Sequence, residues 1–209
     1  DTRLAGLALP GLPNLHSHAF QRGMAGLSER RGAAEDSFWT WREVMYRFLD
    51  RLDPDDVQAL AAQAFVEMLE GGFTALAEFH YLHHDRDGRP YADIATMGAA
   101  IAAAAEETGL GLTLLPVLYR FGNFGQAPPV HGQRRFINDR DSYLRLIEAS
   151  EAAIRPLPDA RLGVQAIGAL AQIARVPGPH RADPGHELGI AFDIAHQGEQ
   201  LVRRVGQKP

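Results

Sequence analysis

Two histidines separated by one small residue, His16 and His18 in the stretch LPNLHSHAFQR, have the clearest capacity for chemistry in this chain. If Leu12 to His18 runs as a strand, alternate side chains share a face. The two imidazoles then leave the same side with α-carbons roughly 6.6 Å apart, and Ser17 points away. Both rings can reach one cation on that footing, at about 2.0 to 2.1 Å from each nitrogen. A cation held with open positions lowers the pKa of coordinated water toward neutrality and makes hydroxide available for hydrolysis. The same motif also reads as a pair of hydrogen-bonding residues at a strand end, and His-x-His by itself does not separate the two.

Other ionisable residues invite the same question. His80, His83 and His84 have a spacing that a second metal could use, but HHDRDGRP has the composition of an exposed turn. His83 and His84 are therefore expected to be solvated and His80 structural. Glu78 falls inside an apolar run, where a hydrogen-bonded structural carboxylate is expected; its place near a strand end leaves a catalytic base as the alternative. His131 is expected to be an ordinary loop residue.

The elements that must position these residues alternate. Asp55 to Glu70 carries apolar side chains at Val57, Leu60, Ala61, Ala64, Phe65, Met68 and Leu69, the spacing of a helix with one buried face. Asp53 or Asp55 can cap it, Pro54 fits its first turn, and Gly71-Gly72 ends it. Phe73 to His80 is too short and too continuously apolar for another helix and reads as a buried strand. Tyr91 to Thr108, alanine-rich and closed by Gly109, reads as a helix, and Leu110 to Arg120 as a strand. A loop of about twenty residues follows, of the length usual for functional lids or disordered segments. Helix Asp141 to Ile154 and strand Ala160 to Ile167 complete another unit. Upstream, Asp36 to Leu52 has helical spacing with Ser37 as its cap. Such alternation predicts a parallel α/β sheet, either doubly wound or a (β/α)₈ barrel. In both, chemistry collects at the carboxyl ends of strands, where His16, His18, His80 and Tyr81 fall. No glycine-rich phosphate fingerprint follows any strand.

The chain has 209 residues, 45% hydrophobic and 22% charged, enough for one domain with a sizeable core or for a piece of a larger one. Its net charge is -5 and its basic residues are scattered, which argues against a nucleic-acid partner. Cysteine is absent, removing disulfides and thiolate chemistry and suiting a reducing compartment. The longest apolar stretch, Leu110 to Leu118, is far below the roughly 20 residues a membrane helix needs. With no signal-peptide pattern at its start, the chain is expected in the cytoplasm. The first residue is Asp1 rather than Met, so the start reads as trimmed or fragmentary.

The stretch LPGLPNLHSHAFQRGMAG resembles the first-strand metal motif of the amidohydrolase superfamily, and within it the formimidoylglutamate deiminase family. The resemblance continues through DSFWTWREVMYRFLDRL, EFHYLHHDRDGRPYAD, AAAAEETGLGLTLLPVLY and GQRRFIND, covering about residues 9 to 164. It implies a (β/α)₈ TIM-type barrel of which this chain supplies roughly the first half. It also implies zinc, with His16 and His18 as two ligands, and hydrolysis of N-formimino-L-glutamate to N-formyl-L-glutamate and ammonia in histidine breakdown. Gln21, Arg42 and Tyr81 match positions that contact the glutamate part of the substrate, and a homodimer is the family's usual assembly. Arg42 suits that role physically, because a guanidinium offers a bidentate fork to a carboxylate; its alternative is an ordinary ion pair on a helix surface. Tyr81 could equally be a core-edge tyrosine with a backbone partner.

After Val164 the pattern departs from the family. Its fourth-strand Pro-His-Ser-Leu-Arg segment is missing, and residues 165 to 209 form a divergent tail. IAFDIAHQGEQ weakly resembles the fifth-strand His-Ile-Ala-Glu-Gln; aligned so, Asp193 takes the ligand position and His196 the proton-transfer position. Two histidines alone are too few for a catalytic zinc, which generally takes three protein ligands plus water. Two rival expectations stand beside the first: another deaminase of the superfamily, of the guanine deaminase type, or a catalytically inactive remnant.

Overall fold

The computed structural model describes residues 6–7, 9–27, 38–123 and 126–167. Strand β1 (Leu12–Ser17) runs into a 3₁₀ turn, Ala19–Met24. Helices α1 (Phe38–Leu49) and α2 (Pro54–Glu70), strand β2 (Phe73–His80), helix α3 (Thr96–Thr108) and strand β3 (Gly111–Tyr119) follow. A 3₁₀ turn at His131–Gln133, helix α4 (Arg140–Ile154) and the short strands β4 (Ala160–Leu162) and β5 (Gln165–Ile167) complete the described elements.

All strand pairs are parallel and the order is β1-β2-β3-β4, with β5 also on β3. A doubly wound sheet reverses its order at a switch point. These strands step in one direction only, the topology of consecutive units of a (β/α)₈ barrel.

The start of α2 has a chemical cause. Asp53 accepts a hydrogen bond from the Asp56 amide at 2.9 Å while the Asp56 carboxylate accepts from the Asp53 amide at 3.1 Å, a reciprocal capping box. Val57, Ala61, Ala64 and Phe65 form its buried stripe. Helix α3 begins at Thr96, five residues later than its alanine content suggests. Asp93 takes the Ala95 amide on its carboxylate at 2.9 Å and the Thr96 hydroxyl on its carbonyl at 2.7 Å, so local side-chain bonds displace helical ones. The expected strand 160–167 is two pieces in one register, Leu112↔Ala160 and Val117↔Gln165. The gap lies opposite Pro116, which has no N–H to give a ladder.

The register places Ser17 beside Glu78 and Glu78 beside Leu114. Leu114 faces α3, where it lies against Gly98, so this row points to the helices. His16 and Phe79 occupy the opposite face, their rings stacked with centroids 4.2 Å apart. The core, with Phe65, Leu76, Met97, Ile101, Leu112 and Leu114 at its centre, therefore lies on the helix side. The histidine pair projects from the other side.

Asp53→Ala removes the side-chain half of the capping box and leaves a helical amide without its acceptor. It is expected to lower the stability of the folded chain by about 1 kcal/mol in urea titrations. A midpoint shift beyond about 3 kcal/mol would mean that Asp53 does more than cap α2.

Candidate functional site

β1 ends at Ser17, where the chain passes into the 3₁₀ turn, and three bonds to β2 hold that junction. The Ala19 amide donates to Glu78 Oε1 at 2.8 Å, and Ser17 also hydrogen-bonds that carboxylate. His18 Nδ1 donates to the Phe79 carbonyl at 2.7 Å. That bond fixes the proton on Nδ1 and leaves Nε2 with its lone pair outward. His18 Nε2 and His16 Nε2 stand 3.1 Å apart, the two rings meeting edge to face. Burial holds the His18 pKa below the usual imidazole value, opposed by the Phe79 carbonyl and aided by neighbouring His16. The neutral ring that metal binding requires is thus the favoured form.

Two nitrogens on one tetrahedral zinc would lie about 3.3 Å apart, given bonds of about 2.05 Å. The observed separation, the set tautomer and the half-open position of the pair fit such an ion. Among the described residues no group of three or more His, Asp or Glu side chains converges on one point, so the pair accounts for two ligands only. Asp193 and His196 lie outside the described residues.

The expected substrate contacts gather beside the pair. Tyr81 directly follows β2, its ring centroid 5.1 Å from that of His18 and 5.2 Å from that of Phe20. Its hydroxyl accepts from Gln21 Nε2 at 3.2 Å and donates to Met45 Sδ at 3.4 Å. Tyr81 therefore finds side-chain partners instead of the backbone partner weighed from sequence. Met45 brings in α1, which carries Arg42 three residues earlier; Arg42 Nε donates to the Tyr46 hydroxyl. Tyr119, at the end of β3, lies 6.1 Å from Tyr81 between ring centroids and interacts electrostatically with Arg42. The carboxyl ends of β1, β2 and β3, with α1, thus build one continuous wall.

Glu78 matches its structural expectation: it is fully buried on the helix side and accepts the Ala19 amide. His83 and His84 correct theirs. They are 1% and 4% exposed, not solvated. The local composition does mark a turn, at residues 85–89, but the two histidines precede it and are covered from 50 residues away. Their amides both donate to the Arg135 carbonyl at 3.0 Å, and their rings donate to the Val117 and Ile137 carbonyls at 3.0 and 2.8 Å. His131 is exposed, as expected of a loop residue. The long loop is no free lid where it is described: Arg135 is 1% exposed and donates to the carbonyls of His84, at 2.9 Å, and Leu49. Sequence reasoning missed Phe79, Tyr46, Tyr119 and Phe136. Two signals pointed to them: Tyr46 is four residues from Arg42 on one helix, and Tyr119 ends β3 much as Tyr81 follows β2. No helix of the described residues is long and apolar enough to cross a membrane.

Comparison with known proteins places this geometry in context. The family model described as Amidohydrolase family matches residues 7–156. The chain is 57% identical over 152 residues to a formimidoylglutamate deiminase from Pseudomonas aeruginosa, covering 73% of this chain and 34% of that protein. It is 55% identical to an amidohydrolase from Brucella melitensis of known crystal structure, with a TM-score of 0.72 over 74% of this chain and 35% of that one. An atrazine chlorohydrolase from Arthrobacter aurescens, crystallised with zinc, is 21% identical with a TM-score of 0.57, covering 76% of this chain and 34% of that one; it shares the fold. The chain spans about a third of the length of these relatives.

Burial makes His80 a pH sensor for the fold. Neither ring nitrogen completes a well-formed hydrogen bond, and desolvation takes its pKa down from 6.5 to about 4, only partly offset by the Leu82 backbone. The folded pKa is the lower one, so the unfolded chain takes up the proton first. The stability His80 contributes is full above pH 6.5 and is lost as pH falls through about 4. Glu78 acts oppositely: its folded pKa is raised to about 7 by burial, so its contribution is full below 4.5 and is lost as pH rises through 7. Comparing His80→Leu with the unsubstituted chain isolates the first effect. On going from pH 7 to pH 4.5 the variant is expected to gain up to about 3 kcal/mol relative to the unsubstituted chain in urea titrations. A pH-independent difference would refute the buried neutral state.

Proposed function

The chain belongs to the amidohydrolase family, and from that premise we propose that it forms the amino-terminal part of a zinc-dependent enzyme hydrolysing N-formimino-L-glutamate. The reaction adds water across the formimino carbon and expels ammonia: HN=CH–NH–R and H₂O give O=CH–NH–R and NH₃. The observation that carries this reading is the His16–His18 pair, with facing nitrogens 3.1 Å apart, next to a wall holding Gln21, Tyr81 and Arg42. The 57% identity to a formimidoylglutamate deiminase supports the choice of substrate.

His16 and His18 would hold the zinc, for which imidazole nitrogen is a suitable donor. Zinc bound there supplies Lewis acidity, which activates water for hydrolysis. The remaining ligands and the proton-transfer group come from outside the described residues, with Asp193 and His196 as the weak candidates. Phe79 keeps the His18 lone pair on Nε2, so the ring needs no proton rearrangement to bind. Arg42 takes a carboxylate of the glutamyl part, where a fixed cation is worth more than in water. Tyr81 and Gln21 hydrogen-bond each other and present their remaining polar capacity to the same ligand. Positioning of this kind supplies a large share of the acceleration without covalent chemistry. A cytoplasmic homodimer acting in histidine breakdown belongs to the same reading, as what the family resemblance implies, and the deiminase relative supports its reaction. The two-ligand count among the described residues favours one alternative, a chain that folds but retains no metal.

The test is ammonia release from N-formimino-L-glutamate together with zinc stoichiometry. The unsubstituted protein is expected to retain about one zinc per chain after dialysis. His16→Ala should abolish that retention and lower kcat/KM by roughly three orders of magnitude. Turnover unaffected by His16→Ala would remove the metal from the mechanism, and absence of zinc from the unsubstituted protein would favour the metal-free alternative.

A further inference from the structure

A guanidinium on a half-exposed helix recognises a carboxylate well only if its plane is held, because the free side chain gives up rotamer entropy on binding. Arg42 is held by its own helix. Tyr46, four residues on and so on the same face, accepts from Arg42 Nε, and the guanidinium carbon lies 5.3 Å from the centroid of its ring.

Tyr46 is itself fixed from outside α1, by residues 131–138. Gly132 lies so close that a Cβ at that position would overlap Tyr46 Cγ and Cδ2. The Gln133 side chain interacts with the Tyr46 hydroxyl, and the Phe136 ring centroid is 6.1 Å from that of Tyr46. This segment has little freedom to move. Gln133 is fully buried, its Oε1 accepting the Val130 amide at 3.0 Å and its Nε2 donating to the Gly122 carbonyl at 2.9 Å. Arg135 ties the same segment to the Leu49 carbonyl at the end of α1 and to His84 after β2. Phe136 packs edge to face on Tyr81 at 5.0 Å. One short segment thus grips both α1 and the residues just after β2, and fixes the relative placement of Arg42 and Tyr81.

We propose that Tyr46 is the positioning residue that aims Arg42, and that Gly132 and Gln133 are the frame that holds Tyr46 in place. This rests on the assignment of Arg42 to a substrate carboxylate. Tyr46 acts through Arg42 and does not touch the ligand. The segment containing His131 to Asn138 is then a specificity element for acidic substrates, although its own sequence carries none of the expected contacts.

Tyr46→Phe tests this with little risk to folding, since it keeps the ring on Gly132 and Phe136 and removes only the hydroxyl. Two measurements are needed on the zinc-loaded protein: solvent exchange of the Arg42 Nε proton by nitrogen-15 NMR, and calorimetric Kd for N-formyl-L-glutamate. The expected result is exchange faster by about tenfold or more and binding weaker by about tenfold in Tyr46→Phe. Gly132→Ala should move both readouts the same way by displacing the ring. In an Arg42→Gln background, Tyr46→Phe should weaken binding no further. Unchanged Arg42 exchange in Tyr46→Phe, or an equal loss of affinity in the Arg42→Gln background, would overturn the proposal. If Arg42→Gln weakens binding and Tyr46→Phe does not, only the positioning proposal falls. If the unsubstituted protein binds no N-formyl-L-glutamate, or Arg42→Gln binds it as tightly, the carboxylate assignment falls and the positioning proposal falls with it.

Discussion

The bond from His18 Nδ1 to the Phe79 carbonyl, 2.7 Å long, is the constraint on which the site depends. It joins the end of β1 to the end of β2, and it chooses the tautomer of the more buried imidazole of the pair. Without it His18 could place its proton on Nε2 and donate to His16, and the facing nitrogens would hydrogen-bond each other instead of offering two lone pairs to a cation. The Ala19 amide on Glu78 reinforces the same junction from the opposite face of the sheet. These cross-strand bonds hold the junction between β1 and the following 3₁₀ turn from both faces of the sheet.

The sheet divides its polar groups between those faces. Facing the helices are Glu78 and His80, both fully desolvated, each shifted toward its neutral form. On the other face are His16, partly open to solvent, and Phe79, against which it stacks. Burying polar groups without full compensation is unfavourable. Glu78 recovers part of that cost by accepting the Ala19 amide and so shaping the turn after β1. His80 has no comparable bond, and nothing in the structure explains why an imidazole stands at that position in place of an apolar side chain.

Much of the framework was legible in the residues. Strand β2 falls at Phe73–His80 as its continuous apolar run predicts, and α2 ends where Asp53, Pro54 and Gly71 say it should. The histidine pair was legible for the same reason: in a strand, spacing of two means one face. The register was not, because the Phe79 carbonyl is a backbone group whose role depends on which strand lies beside it. Nor was the packing of HGQRRFIND, whose polar composition reads as solvated loop while Arg135, among the residue types least often buried, lies inside. The burial of His83 and His84 failed to show for a matching reason. The turn following them is local, whereas the segment covering them comes from far along the chain. Short-range signals report caps, turns and periodicity; they do not report what a later segment will cover.

The placement of the two anchors also follows from where β1 lies. It is the edge of the described sheet, paired with β2 alone, and its Leu12 and Leu15 side chains are largely exposed. An edge strand has little to hold its register, since half of its backbone groups have no ladder to join. Ligands on such a strand keep their separation only if bonds beyond the ladder fix them, and both bonds found here run to β2. α1 faces a comparable demand on a helix, where the long Arg42 side chain must be held in one orientation. The 131–138 segment answers it with contacts to the residues just after β2, a ring contact on Tyr81 and a hydrogen bond to the His84 carbonyl. The end of β2 and the residues just after it are therefore the common reference against which both the histidine pair and Arg42 are positioned, and the candidate site keeps its shape to the extent that they keep their place.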